Sequence, residues 1–126
     1  MKRQIVVTDA MPKAIGPYSQ AVWTGDWLFS AGQIALDPGS GSMVAGGITE
    51  QTTCVLDNIR GLLKSQGLDF GNVVKTTVFL SDLSNFVMMN EVYAKYFTKD
   101  PPARSTVQVA RLPKDALVEI EIVAAR

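Results

Sequence analysis

The pattern of apolar residues in this chain predicts an α+β fold, a single mixed sheet of about six strands with two helices on one face. Three observations carry that reading. Short runs rich in Val, Ile and Thr occupy both ends of the chain and one stretch in its middle. Two other stretches repeat their apolar residues at steps of three and four, the spacing of an amphipathic helix. At 126 residues there is room for one domain, residues 1–126, and none for a third layer over the sheet's second face.

Taken in order, Ile5–Thr8 is a first strand, and Met11–Gly16 is a loop because Pro12, Gly16 and Pro17 interrupt it. Ser19–Thr24 and Trp27–Ile34 form a hairpin across Gly25-Asp26. Asp37–Gly47 is turn-rich and matches neither a P-loop nor a dinucleotide fingerprint, since no lysine or correctly spaced third glycine follows and a long loop precedes the helix. From Ile48 to Gln66 the residues Ile48, Thr52, Val55, Leu56, Ile59, Leu62 and Leu63 share one helical face, with Thr49 a candidate cap and Gly67 the stop. Val73–Leu80 is a strand. A second helix, capped by Asp82 or Ser84, runs to Phe97 and turns Phe86, Met89, Val92, Tyr93, Tyr96 and Phe97 inward. Ser105–Val109 and Leu117–Ala124 close the chain as strands on either side of a turn-forming LPKD.

Composition removes several kinds of chemistry. Twelve acidic residues balance twelve basic ones, so nucleic acid is disfavoured as a partner. The chain has no histidine, which removes Ser-His-Asp and Cys-His catalysis and most zinc and non-haem iron sites. The single cysteine, Cys54, falls within the first helix and reads as a small buried or half-buried residue rather than a nucleophile. No apolar run approaches a membrane span and no signal-peptide pattern opens the chain, so a cytoplasmic protein is expected.

The last quarter, PPARSTVQVARLPKDALVEIEIVAAR, holds the candidate chemistry. Alternation places Arg104, Thr106 and Gln108 on one strand face, and sets Glu119 and Glu121 between Val118, Ile120 and Ile122. An amphipathic edge strand, with Arg104 paired to Glu119 or Glu121, explains this pattern. So does a site in which a guanidinium binds a carboxylate and a nearby glutamate steers a water.

PPARSTVQVARLPKD followed by VEIEIVAA closely resembles the C-terminal signature of the Rid, or YjgF-like, family of reactive intermediate deaminases. The resemblance continues through IGPYSQAV, FSAGQIALDP, LDNIRGLL, VVKTTVFL and NEVYAKYF, in the family's order and over nearly the whole chain. It implies a chorismate-mutase-like fold assembled as a homotrimer with clefts between subunits. It also implies a hydrolase without metal or organic cofactor, acting on 2-aminoacrylate- and 2-iminobutanoate-type intermediates released by pyridoxal-phosphate enzymes, with a 2-oxo acid and ammonia as products. By the same resemblance Arg104 binds the substrate carboxylate, Glu119 orients the water, with Glu121 an alternative, and Tyr18 bonds the ligand from the cleft wall. Gly32 lets the backbone approach the ligand, and Ser30, Ala31 and Asn90 line the site. Thr106 departs from the pattern, because many members carry cysteine there; its backbone amide can still serve the carboxylate. Two other readings stand beside this one: a module that binds 2-oxo acids without turnover, and a chaperone or RNA-directed translation inhibitor.

Overall fold

The computed structural model describes residues 2–126. These form β1 (Arg3–Val6), β2 (Ala21–Thr24), β3 (Trp27–Ser30), α1 (Ile48–Ser65), β4 (Val73–Leu80), α2 (Phe86–Tyr96), β5 (Ala103–Gln108) and β6 (Val118–Ala125). The strands make one sheet in the order β1-β2-β3-β6-β4-β5. All neighbours are antiparallel except β4 and β5, which run parallel because α2 carries the chain back between them. The expected α+β architecture, a mixed sheet of six strands with two helices, is therefore present.

One sheet face is the core. Thr76 opposes Ile122 and Val78 opposes Ile120 across β4–β6, and Leu28 opposes Ala124 across β3–β6. These residues are buried with Val55, Leu56, Ile59, Leu62 and Leu63 of α1 and with Met89, Val92 and Tyr93 of α2. Burying a side chain of this size contributes about 1.5–3 kcal/mol. The other face carries Ile5, Trp27, Phe29 and Val107, which stay 52%, 47%, 45% and 43% exposed. Among the described residues no helix is long and apolar enough to cross a membrane.

Helix ends follow local chemistry. Gly67, at φ +72°, closes α1: its N–H donates to the Lys64 carbonyl while Leu68 N–H reaches Leu63. At the other end Thr49 is not the cap. The Glu50 carboxylate accepts the Gly47 N–H at 2.8 Å instead, so α1 begins one residue before Thr49. Asp82 caps the 3₁₀ turn Leu83–Asn85 that leads into α2, accepting the Ser84 N–H at 2.9 Å.

Strand boundaries depart most from expectation at β3, which ends at Ser30 rather than Ile34. The Ser30 hydroxyl accepts the Ile122 N–H at 2.9 Å, replacing the carbonyl a continuing ladder would supply. Ala31 N–H turns back to Gln20, and pairing resumes only as an isolated bridge between Gln33 and Ile120. Gly32 sits in this interruption.

Candidate active site

A cavity lies beside the break after β3. Gly32 lies directly under the Glu119 side chain, so a Cβ added to it would collide with the carboxylate, whose Cδ would be 2.8 Å away. The cavity, of about 360 Å³, is walled in part by Ile15, Tyr18, Ala31, Gln33 and Lys114 together with Gly32 and Glu119. The loop carrying Tyr18 is held by buried Gln20, whose Oε1 accepts the Thr8 N–H at 2.8 Å and whose Nε2 donates to the Thr8 carbonyl and, at 2.8 Å, to the Pro12 carbonyl. The Tyr18 hydroxyl accepts the Ile15 N–H at 3.3 Å and stands half exposed at the cavity wall.

Glu119 and Glu121 share the sheet face away from the helices, opposite Phe79 and Thr77. Only Glu119 lines the cavity, and Glu121 is exposed. Burial, with Glu121 repelling it from two residues along, holds the Glu119 carboxyl above its ordinary range. A carboxylate raised in this way is a better proton acceptor near neutrality.

The other expected residues lie elsewhere. Arg104 partners Thr76 across β4–β5, and Thr76 partners the core residue Ile122 across β4–β6. Arg104 therefore projects from the helix-covered face, where its Cζ lies 4.7 Å from the Tyr93 ring centroid and 5.6 Å from that of Phe86. Among the described residues its guanidinium forms no ion pair. Thr106, two residues on and on the same face, has a buried hydroxyl without a hydrogen-bond partner. Asn90 lies four residues from Phe86 and three from Tyr93 on α2.

The expected residues thus separate into two clusters within one chain. Tyr18, Ala31, Gly32 and Glu119 meet at the cavity; Arg104 and Thr106 lie on the sheet face beneath α2, the helix that carries Asn90. The ion pairs of Arg104 with Glu119 or Glu121 considered from sequence are ruled out within the chain by their opposite faces. Ser30 does not line the cavity, and its hydroxyl is committed to Ile122. Sequence reading assigned Tyr93 and Phe86 to the core and overlooked their contact with Arg104. The spacing of Phe86, Asn90 and Tyr93 along α2 was the available signal, since it puts both rings on the side of a residue already singled out.

Residues 8–126 match the family model described as endoribonuclease L-PSP. The human 2-iminobutanoate/2-iminopropanoate deaminase is 48% identical over 122 residues, 97% of this chain and 89% of that protein. A RutC family protein of Pyrococcus horikoshii is 50% identical and covers 97% of each chain. Among solved structures, E. coli TdcF with bound serine superposes with a TM-score of 0.92 at 42% identity over 98% of both chains. Yeast Mmf1 superposes with a TM-score of 0.95 at 37% identity over 99% of both. With the match spanning nearly every residue of the sheet and both clusters, the chain belongs to the endoribonuclease L-PSP family, the RutC and Rid proteins.

Proposed function

We propose that this protein is an enamine/imine deaminase whose site is assembled from two copies of the chain, Arg104 and Thr106 from one and Tyr18, Gly32 and Glu119 from the other. The observation that carries the reading is the separation of Arg104 and Glu119 onto opposite faces of one sheet. Each half is chemically incomplete: an unpaired guanidinium beside an unpartnered hydroxyl on one side, a raised carboxylate in a cavity on the other. β5 is an edge strand, so its Arg104 can reach a neighbour's cavity. The apolar sheet face bearing Trp27 and Phe29 supplies the reason to associate, and a homotrimer covers it on every copy.

Assembled in this way, the site performs hydrolysis with modest means. The planar fork of Arg104 takes the substrate carboxylate through two hydrogen bonds, and Thr106 adds its hydroxyl. Glu119 accepts a proton from a water as its oxygen bonds to the imine carbon. Glu119 returns that proton to the nitrogen, and the carbinolamine then passes its hydroxyl proton through Glu119 to the nitrogen as the C–N bond breaks, so that ammonia leaves and a 2-oxo acid remains. Tyr18 contributes its hydroxyl at the wall, and Gly32 leaves space for the Glu119 carboxylate above it. The substrates are 2-aminoacrylate- and 2-iminobutanoate-type species, in keeping with the name of the human relative and with the amino acid held by TdcF.

The test couples a pyridoxal-phosphate threonine dehydratase to continuous measurement of imine decay and ammonia release. The protein accelerates both, and Arg104→Ala and Glu119→Gln each abolish the acceleration. Tight binding of 2-oxobutanoate with no acceleration would replace this reading with that of a binding module.

A further inference from the structure

Arg104 does not stand alone on β5. Its register neighbour on β4 is Thr76, which is fully buried, and the Thr76 hydroxyl lies 2.8 Å from the Tyr93 hydroxyl. Tyr93 is itself buried, and its ring is the closer of the two beneath the Arg104 guanidinium. The three residues close a loop: β4 holds Thr76, Thr76 holds the Tyr93 hydroxyl, and the Tyr93 ring holds Arg104 next to Thr76 on the sheet. Burial pushes the Tyr93 hydroxyl above its ordinary range, although the Thr76 hydrogen bond and the Arg104 charge pull it down, so the ring meets Arg104 as a neutral phenol.

We infer that Tyr93, fixed by Thr76 and flanked by Phe86, is a positioning residue that orients the Arg104 guanidinium for the substrate carboxylate. A long arginine side chain on an edge strand has many rotamers, and ordering it on binding costs free energy. Contact with the Tyr93 and Phe86 rings restricts the guanidinium while leaving its N–H groups for an anion. The hydroxyl pair determines where the ring stands, because a buried tyrosine whose hydroxyl has one partner has little freedom to shift. This inference rests on the reading of Arg104 as the carboxylate clamp.

The experiment is a double-mutant cycle read by 2-oxobutanoate affinity in calorimetry and by KM and kcat in the imine assay. Tyr93→Leu removes ring and hydroxyl, Thr76→Val removes only the anchor, and Arg104→Ala serves as the reference. Tyr93→Leu weakens 2-oxobutanoate binding about two- to thirtyfold, the range a cation–π contact supplies. Thr76→Val and Tyr93→Phe move affinity in the same direction by less, and Tyr93→Phe restores most of what Tyr93→Leu loses. KM rises more than kcat falls. In the Arg104→Ala background Tyr93→Leu has no further effect on affinity, because its action passes through the guanidinium. A thermal shift without a change in affinity, or a Tyr93→Leu loss that persists when Arg104 is absent, would overturn the inference. An Arg104→Ala variant that binds 2-oxobutanoate as wild type would instead overturn the clamp itself.

Discussion

Arg104 and Glu119 lie two strands apart in one sheet, and their side chains leave it in opposite directions. Arg104 shares the face of Thr76 and Ile122, under α2; Glu119 shares the face of Phe79 and Val107, beside Gly32. A pleated sheet permits no rotamer that brings them together within a chain, since side chains on opposite faces are separated by the backbone layer. The reaction proposed above uses a carboxylate clamp and a proton acceptor at one substrate, and in that proposal a second copy of the chain brings them together.

Glu119→Gln separates activity from stability. Loss of a general base is expected to cost about 10²–10⁴-fold in turnover. The wild-type rate falls as pH drops through the raised Glu119 value, because only the ionised carboxyl accepts the water proton. Stability has the opposite dependence. The unfolded carboxyl ionises in its ordinary range, whereas the folded one holds its proton to higher pH. Between those values the folded state binds more protons, so stability declines as pH rises. Glutamine does not ionise, and Glu119→Gln should be at least as stable as wild type at pH 7. A clear drop in melting temperature would contradict this.

Gly32→Ala tests the close approach beneath Glu119. The new methyl meets the end of a flexible side chain, so Glu119 can swing aside and the fold survives. Displacing a catalytic group by about 1 Å can cost about 10²-fold, and a fall of ten- to a hundredfold in kcat with a normal circular dichroism spectrum is expected. Gly61 gives the contrast. Alanine normally favours a helix interior over glycine, yet a Cβ at Gly61 would strike the Ala10 carbonyl, which belongs to the backbone. Gly61→Ala should therefore lower the melting temperature, by the equivalent of about 1–3 kcal/mol.

These two glycines mark how far the sequence alone could reach. Alternation along Arg104–Gln108 and Val118–Ile122 already assigned faces, and the helical spacing from Ile48 to Leu63 already defined the buried side of α1. The break in β3 was not legible, because it depends on the Ser30 hydroxyl finding the Ile122 N–H from a distant strand. Nor was the distance between the two clusters, since the sheet order placing β6 between β3 and β4 is a tertiary fact. The spacing of glutamates could not show that Glu119 lines the cavity while Glu121 is exposed. The Asp115 and Lys114 backbones, at φ +54° and +55°, likewise have no signature beyond the turn-forming LPKD.

Cys54→Ala should leave turnover unchanged. The thiol is half-buried on α1, 3.5 Å from the Leu36 carbonyl, and burial pushes it up with help from Asp57 and Asp37. Such a thiol is protonated at neutral pH and a poor nucleophile. Alkylation by iodoacetamide slower than that of free cysteine would agree; a loss of turnover in a folded Cys54→Ala variant would give the thiol a role the present account lacks.

Arg104→Lys keeps the charge and loses the fork. One charge-assisted hydrogen bond contributes about 1.5–3 kcal/mol, so kcat/KM should fall roughly ten- to a hundredfold or more. Melting temperature and oligomeric state, measured alongside, exclude unfolding as the cause. Near-wild-type kinetics in a folded Arg104→Lys variant would mean that the guanidinium does not hold the carboxylate.

The shared site is tested most directly by mixing two inactive chains. Arg104→Ala and Glu119→Gln are unfolded together at equal amounts, refolded, and assayed for imine hydrolysis against each variant refolded alone. If every site takes Arg104 from one copy and Glu119 from its neighbour, random assembly restores both groups at about a quarter of the sites, one half times one half. About a quarter of wild-type turnover is therefore predicted from the mixture, with each variant alone inactive. A mixture as inactive as its components, in mixed oligomers verified by mass, would place both groups in a single chain and contradict the account.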